Sequence, residues 1–353
     1  MERLLSELPA ISLFSGAGGL DLGVERAGYK VRASVEYDAD ACRTLRSNFP
    51  AAEVLEGDIC KIPTRRILKA AGLKRGEAEL LVGGPPCTPF SKSGNWLEYK
   101  REGRDPEASL LDEYVRVLSE VRPRAFILEN VFGLAYRNHN AAWFERLLKA
   151  CEASRYKVRA EVLLAADFGV PQRRQRVIVI GSLDRAPEHP EATYSGPHET
   201  RKSYDRSLPP HVSTREAIGD LEKRKDLAEP EEYVNGRYGH LLPAIPPGDN
   251  YLFYTAKRGH PEPLFEWRKR YWSFLLKLDP SQPSPTIQAQ PGPYVGPFHW
   301  SNRRLRLPEI KRLQTFPDDY EIVGSRRSAQ VQVGNAVPPA LAEKIAATLR
   351  ATS

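Results

Sequence analysis

The first 182 residues predict an open α/β sheet with helices on both faces. Short apolar segments alternate there with segments of helical character. A glycine-rich turn separates the first strand from the first helix, and polar residues follow several strands directly. Such alternation is typical of a mostly parallel sheet. Ligands bind at the carboxyl ends of the strands in sheets of this kind, so we expect the functional residues at that edge.

The elements are predicted in order along the chain. The strands are short apolar runs, as expected where both faces of a sheet are covered, and they are predicted at 11–14, 31–35, 54–55, 80–82, 125–128 and 177–180. Helices are predicted at 20–26, 39–48, 110–120 and 143–153. A last helix is predicted at 340–349, within a C-terminal stretch that returns to helical character.

Residues 183–300 have a different composition and predict a second, smaller domain. They hold 17 of the 30 prolines and 15 of the 32 aromatic residues. Proline at this density prevents long helices and regular central strands. We therefore predict a loop-rich, mostly β domain with short strands, inserted into a larger domain made of 1–182 and 301–353.

Charge and cysteine content bound the class of protein. The formal net charge is +7 and the isoelectric point is near 9.1, which favours an anionic partner but also fits an ordinary basic protein. Mean hydropathy is −0.49 and no apolar run approaches the ~20 residues of a membrane span. The N-terminus lacks a signal-peptide apolar region, so we expect a cytoplasmic protein. No metal site is expected, because no two of the four cysteines are close in sequence: Cys42, Cys60, Cys87 and Cys151.

The loop after the first strand suggests a nucleoside-type cofactor. Gly16, Gly18 and Gly19 allow close approach of a ligand and a turn into the helix. Glu36 ends the second strand, where a carboxylate can accept hydrogen bonds from a ribose diol. Asp58 follows the next strand and could bind an adenine amino group. These residues fit a nicotinamide enzyme almost as well.

Cys87 is a candidate nucleophile. It lies just past a core strand in the segment Gly-Gly-Pro-Pro-Cys-Thr-Pro-Phe-Ser, residues 83–91. The alternative is a buried structural cysteine, which is common for free thiols. Prolines before the cysteine and a polar loop after it favour an exposed, reactive position.

With these motifs, the chain resembles the DNA cytosine-C5 methyltransferases. The similarity covers 11–182 and 301–340, and the segments that carry it, in order, are Phe14-Ser-Gly-Ala-Gly-Gly-Leu20, Glu36-Tyr37, Gly57-Asp58-Ile59, Gly83-Gly-Pro-Pro-Cys87, Glu129-Asn130-Val131, Gln172-Arg-Arg-Gln-Arg176, Arg312-Leu-Gln-Thr-Phe-Pro317 and Gln332-Val-Gly-Asn-Ala-Val-Pro338. The resemblance implies a Rossmann-like, S-adenosylmethionine-dependent methyltransferase domain and a target-recognition domain at 183–300.

The resemblance also assigns catalytic roles. Cys87 would add to carbon 6 of a flipped-out cytosine and so activate carbon 5 for methylation. Glu129 would hold the exocyclic amino group and ring N3; a helix-cap or surface carboxylate is the alternative. Arg174 would touch the base and Arg176 would be more structural, although a solvated basic strand end is the plainer interpretation of either.

For the cofactor, the resemblance implies an S-adenosylmethionine pocket. Glu36 would take the ribose, Tyr37 would pack on adenine, and Asp58 would bind the adenine amino group. The full set of cofactor residues is Phe14, Gly16, Gly18, Gly19, Leu20, Glu36, Tyr37, Asp58, Ile59, Pro85, Asn335 and Val337.

The implied partner is double-stranded DNA, bound by a monomer that acts with a cognate restriction endonuclease or another defence system. A loop at 92–108 would close over the flipped base, and the insert would supply further contacts from cationic and aromatic residues at 267–272. A charged helix face beside core aromatics is the alternative for that segment. The predicted DNA-binding residues are Ser91, Ser93, Asn95, Arg268, Lys269, Arg270 and Thr286.

Two departures and two alternatives accompany this assignment. Thr88 replaces a frequent glutamine, and Arg306-Leu307-Pro308 replaces a frequent Thr-Pro-Arg before Glu309. An RNA cytosine methyltransferase shares many motifs, but that branch lacks a large insert and carries a Cys-Phe-Thr signature that is absent here. A non-catalytic binding module would be expected to lose the cysteine or the glycines, and both are present.

Overall fold

The computed structural model describes residues 7–86, 109–132, 141–198 and 203–351. Cys87, Thr88, Ser91, Ser93, Asn95 and the predicted loop at 92–108 lie outside the described residues. No helix in these four ranges is long and apolar enough to cross a membrane.

A seven-stranded sheet forms the centre of the molecule, in the order β3-β2-β1-β4-β5-β8-β6. The first five strands in this order are parallel, and β8 and β6 are antiparallel to their neighbours. The α/β sheet predicted from the sequence is confirmed, with an antiparallel pair at one edge. Its strands are β1 (Leu8–Leu13), β2 (Tyr29–Glu36), β3 (Glu53–Glu56), β4 (Leu80–Gly83), β5 (Ala125–Val131), β6 (Lys157–Leu164) and β8 (Gln175–Ser182).

Within the described residues, five α-helices connect the strands of the sheet. They are α1 (Gly19–Arg26), α2 (Ala39–Asn48), α3 (Thr64–Ala71), α4 (Ser109–Val121) and α5 (Ala141–Ala153). Two hydrophobic clusters cover the two faces of the sheet. One packs α3, α4 and α5 against one face, and the other packs α1 and the C-terminal helix against the opposite face.

The C-terminal segment returns to the glycine loop and to α1. It comprises α7 (Leu307–Leu313), α8 (Arg326–Asn335) and α9 (Pro339–Ala351). Helix α9 approaches α1 so closely that a Cβ on Gly23 would lie 2.4 Å from Cβ of Ala342. Residues separated by more than 300 positions therefore form one layer beside the sheet.

The insert is loop-rich, but it is not mostly β. Its described residues contain five short 3₁₀ helices, the helix α6 (Thr214–Ile218) and the two-residue strand β9 (Ser284–Pro285). Strand β9 pairs with β7 (Gln172–Arg173) rather than with another strand of the insert. The expectation of short strands was wrong because aromatic packing replaces ladder pairing, in a cluster that includes Tyr238, Tyr251, Phe265, Phe274 and Tyr294.

Candidate active site

The loop after β1 is tied to the end of β2 by Glu36. The carboxylate accepts hydrogen bonds from the backbone amides of Gly16 at 2.7 Å, Tyr37 at 2.7 Å and Asp38 at 2.8 Å. Phe14 and Gly16 both have φ near +54°, a left-handed conformation that is uncommon for phenylalanine. The predicted ribose-binding carboxylate is thus also the residue that shapes the predicted cofactor loop.

The three glycines of this loop face different surroundings. A Cβ on Gly16 would meet no atom within 4 Å, so this glycine borders open space. A Cβ on Gly18 would lie 2.6 Å from the ring of Phe49, and one on Gly19 would lie 2.3 Å from the carbonyl oxygen of Val337. Only Gly16 therefore leaves room for a ligand. The space beside Gly18 and Gly19 is filled by other residues of the protein.

A buried carboxylate supports the loop from the opposite side. Asp21 in α1 is fully buried and accepts hydrogen bonds from the hydroxyls of Ser12 and Ser34. The hydroxyl of Ser15 in turn donates to that of Ser12 at 2.8 Å. Burial raises the pKa of Asp21 to about 7, against the smaller lowering effect of the serine hydrogen bonds. Sequence reasoning did not single out Asp21, although it lies directly after the Gly-Gly-Leu motif.

The other predicted cofactor residues lie at the ends of neighbouring strands. The ring of Tyr37 is 77% exposed, so no other part of the described structure covers it. Asp58 caps a 3₁₀ helix, where its side chain accepts from the amide of Cys60 at 3.0 Å. Ile59, Leu20 and Val337 are buried behind the loop, whereas Asn335 is exposed at the end of α8.

Glu129 lies beside the segment that leads to Cys87. It belongs to β5 itself rather than following the strand, and its side chain is 10% exposed. A Cβ on Gly84 would be 3.1 Å from Glu129 Oε2, and Asn130 Nδ2 donates to the carbonyl of Pro85 at 3.1 Å. The residues just before the predicted nucleophile are therefore held against the predicted base-binding carboxylate.

Arg176 is the cation nearest to Glu129. Its Nε lies 2.7 Å from Glu129 Oε1, and the two side chains are 15% and 10% exposed. The contact is an ion pair that lacks hydrogen-bond geometry. Within the described structure, Oε1 is buried and receives no hydrogen bond. The Arg176 cation therefore balances the buried charge of the Glu129 carboxylate.

Arg174 has a different environment. It is 1% exposed, and its guanidinium donates to the carbonyls of Gly334 at 3.0 Å and Asn335 at 3.2 Å, where α8 ends. Burial and the nearby charge of Arg176 hold the pKa of Arg174 well below its usual value, while Glu129 acts in the opposite direction. The geometry thus ties Arg174 to the C-terminal segment and pairs Arg176 with Glu129.

The end of the insert pairs with the strand next to these arginines. Gln172 is fully buried; its side chain donates to the carbonyl of Leu313 and accepts from the amide of Ile287 at 3.0 Å. The hydroxyl of Thr286 donates to the carbonyl of Arg173 at 3.1 Å. Gln172 was part of the quoted motif, but its role in joining insert, sheet and C-terminal segment was not predicted.

The cationic segment of the insert is exposed and rests on aromatic rings. Arg268, Lys269 and Arg270 are all exposed. The Arg270 guanidinium lies 5.9 Å from the ring centre of Tyr238 and 5.5 Å from that of Phe274. This segment is not helical in the structure. The alternative of a charged helix face is therefore wrong.

Comparisons with known proteins agree with this geometry. Residues 8–351 match the family described as C-5 cytosine-specific DNA methylase. The chain is 48% identical to the type II methyltransferase M.SacI of Streptomyces achromogenes, over 97% of this chain and 93% of that protein. It is 33% identical to the type II methyltransferase M1.HphI of Haemophilus parahaemolyticus, over 96% of this chain and 86% of that protein.

Solved structures with low sequence identity share the fold. The S. pombe Dnmt2 methyltransferase superposes with a TM-score of 0.62 at 14% identity, covering 98% of this chain and 99% of that one. The Entamoeba histolytica methyltransferase EhMeth gives a TM-score of 0.57 at 16% identity, with the same coverage. The chain belongs to the C-5 cytosine-specific DNA methylase family and is a DNA (cytosine-5-)-methyltransferase.

Proposed function

We propose that the chain methylates cytosine within a short DNA sequence by covalent catalysis from Cys87, with S-adenosylmethionine as the methyl donor. The observation that carries this proposal is the position of Glu129. Its buried carboxylate meets Gly84, three residues before Cys87 in the sequence, and pairs with Arg176, which supports a role for Glu129 in holding the base that Cys87 would attack.

The residues present fit S-adenosylmethionine. Gly16 borders open space next to the Glu36 carboxylate, and Tyr37 offers an uncovered ring on the same edge of the sheet. When bound, S-adenosylmethionine supplies an electrophilic methyl group. Glu36 would hold the ribose, Tyr37 and Ile59 would contact the adenine ring, and Asp58 would accept from the amino group. Gly18 and Gly19 would support this site indirectly, because Phe49, Tyr320 and Val337, rather than the cofactor, fill the space beside them.

The chemistry requires the thiolate of Cys87 to form a bond to carbon 6 of cytosine. The electron pair displaced from the C5–C6 double bond makes carbon 5 the nucleophile. After methylation, carbon 5 loses its proton to solvent, and the electron pair of that C–H bond re-forms the C5–C6 double bond as the C6–sulfur bond breaks and returns its own pair to the thiolate. Carbon 6 is inaccessible in a stacked base pair, so the cytosine must leave the helix first.

Glu129 and Arg176 would stabilise the charge that develops on the ring. The carboxylate of Glu129, held by its ion pair with Arg176, suits the exocyclic amino group, while a proton held by Glu129 would serve ring N3. Arg176, which pairs with Glu129, would contact the base. Arg174 donates to two backbone carbonyls through its terminal nitrogens and would position the C-terminal segment. These assignments reverse the roles expected for the two arginines from the sequence.

The proposed substrate is duplex DNA, held across the active site and the insert. Arg268, Lys269 and Arg270 are exposed cations suited to phosphates or base edges. The hydroxyl of Thr286 donates to the carbonyl of Arg173 in β7. The type II names of the relatives favour a role with a cognate restriction endonuclease. We propose that the enzyme works on DNA as a monomer.

The test is bisulfite sequencing of DNA from a methylation-free bacterial host that expresses the protein. We expect protected cytosines within one short motif for the wild type. Cys87→Ala should abolish protection, while Cys60→Ala, which removes an exposed thiol, should retain it. Methylation by a clean Cys87→Ala preparation would refute the nucleophile. No protection by folded wild-type protein that binds S-adenosylmethionine would refute the DNA substrate or show that a partner is required.

A further inference from the structure

The loop that carries Gly16 does not hold its conformation by itself. Phe14, Gly16 and Gly18 all have φ between +54° and +73°, so three of five consecutive residues are left-handed. The left-handed conformation is unfavourable for a non-glycine residue such as Phe14. Within the loop, the amide of Gly18 donates to the carbonyl of Ser15 at 2.9 Å. A loop of this shape requires support from outside.

Tyr320 supplies such support from the C-terminal segment. Its hydroxyl donates to the carbonyl of Ala17 at 2.5 Å, and the residue is 6% exposed. A Cβ on Gly18 would lie 2.7 Å from the Tyr320 oxygen. The absence of a side chain at position 18 is therefore what allows the tyrosine to reach the loop.

Ring packing and backbone hydrogen bonds fix the position of Tyr320. Its ring packs against Phe316 at 4.9 Å and edge-on against Phe49 at 6.3 Å. The buried Lys311 donates to the carbonyl of Tyr320 at 2.6 Å. Asn48 of α2 accepts from the amide of Glu321 and donates to its carbonyl. The hydroxyl is thus fixed with respect to both α2 and α7.

We propose that Tyr320 is a positioning residue for cofactor binding, which holds the 14–20 loop in its cofactor-competent shape through the Ala17 carbonyl. This inference rests on the proposed function, because the loop is taken to hold S-adenosylmethionine. Without the hydroxyl, the loop samples other conformations. Cofactor affinity then falls in proportion to the fraction of molecules that keep the competent one.

The experiment compares Tyr320→Phe with Tyr254→Phe. Tyr254 is a matched control, because it is also buried and its hydroxyl also donates to a backbone carbonyl, that of Leu241 at 2.7 Å, within the insert. Calorimetric titration with S-adenosylhomocysteine should show affinity weakened by about three- to tenfold for Tyr320→Phe, the effect of one hydrogen bond. Tyr254→Phe should stay within about twofold of the wild type.

A second measurement uses the protein without cofactor. Hydrogen exchange should be faster at residues 14–20 in Tyr320→Phe and unchanged in the central strands β4 and β5. Unchanged loop exchange, unchanged affinity, or acceleration throughout the sheet would each overturn the proposal. If the wild type itself binds no S-adenosylhomocysteine, the proposed cofactor is wrong, and loop exchange alone then decides whether Tyr320 holds the loop.

Discussion

Glu129 is the residue on which the proposed chemistry depends most directly. Glu129→Gln keeps the shape of the side chain but removes its charge and its ability to carry a proton to ring N3. We expect single-turnover methyl transfer to fall by about 10²–10⁴-fold, the usual contribution of a positioned acid or base. Binding of S-adenosylhomocysteine should remain near the wild-type level.

Glu161→Gln is the control for this change. Glu161 is an exposed carboxylate in β6, and it pairs across the sheet with Ile178, which pairs on its other side with Glu129. We expect its activity to match the wild type. Equal losses for both variants would mean that loss of charge near the sheet, rather than a role at the base, explains the result.

Asp21 gives a prediction about pH and stability. Its pKa is about 7 in the folded protein, against 3.8 for an unperturbed aspartate, so the folded state holds the extra proton between these values. Its contribution to stability is therefore fully present below pH 4 and is lost as pH rises through 7. Urea unfolding at pH 5 and pH 8 should show a larger fall for the wild type than for Asp21→Asn, by a few kcal/mol. Parallel curves would contradict the raised pKa.

At the residue scale, sequence motifs indicated a candidate site, but they did not show which contacts each residue of a motif makes. Glu36, Gly16 and Glu129 lie at one edge of the sheet, and their roles in catalysis and cofactor binding stay predictions. Gly18 and Gly19 belong to the same motif, yet they face Tyr320 and Val337. A single sequence cannot separate these reasons, because the partners lie more than 300 positions away. Asp21 was missed for a similar reason, since its burial depends on the packed sheet.

At the scale of elements, long apolar runs were predictable and mixed ones were not. Strand β4 is buried throughout and β5 is buried except at Val131, and apolar runs identified both. Strand β6 was missed because it lies at the edge of the sheet, where its Lys157–Leu164 sequence alternates charged and apolar residues. Helix α3 was missed because its eight residues are mostly basic or small. In the insert, aromatic packing rather than strand pairing determines the structure.

The departure at residues 306–308 has a structural explanation. Arg306 pairs with Glu232 of the insert at 2.6 Å, and both residues are at most 5% exposed. The backbone amide of Arg306 also donates to Glu309, which forms two hydrogen bonds with Arg303. The insert therefore supplies the charge that balances the arginine present in place of threonine.

Breaking this pair should destabilise the protein. Arg306→Met leaves Glu232 buried without its cation, and we expect a loss of about 3–5 kcal/mol in the free energy of unfolding. Adding Glu232→Met should recover most of that loss, since an apolar pair of similar volume is tolerated. Urea unfolding measures both. Removing the exposed Arg224–Asp226 pair should change stability by less than about 1 kcal/mol. A double variant as unstable as Arg306→Met would contradict the pairing.

At the scale of the whole molecule, the insert is joined to the catalytic domain at several places, which include the ion pairs Arg312–Asp220 and Arg326–Glu229. Strand β9 and Thr286 pair with the strand that leads into Arg174, and Glu232 pairs with Arg306. The sequence placed a domain boundary at 300 by composition alone. The contacts place residues 303–309 in the same buried polar network as residues 229–232. The position of the insert on the active site is thus set by side chains on both sides of that boundary.

The last prediction concerns exchange of the insert. Replacing residues 183–300 by the insert of a family member with a different target should transfer the donor's recognition sequence, because the exposed cationic segment lies within the exchanged part. The same exchange separates Arg306 from Glu232, so this chimaera should unfold at lower urea concentration than one that exchanges 183–309. Bisulfite sequencing gives the target of each chimaera, and urea unfolding gives its stability. A stable chimaera that keeps the original target would place sequence recognition outside the insert, whereas equal stability of the two chimaeras would show that the Arg306–Glu232 pair does not hold the insert in place.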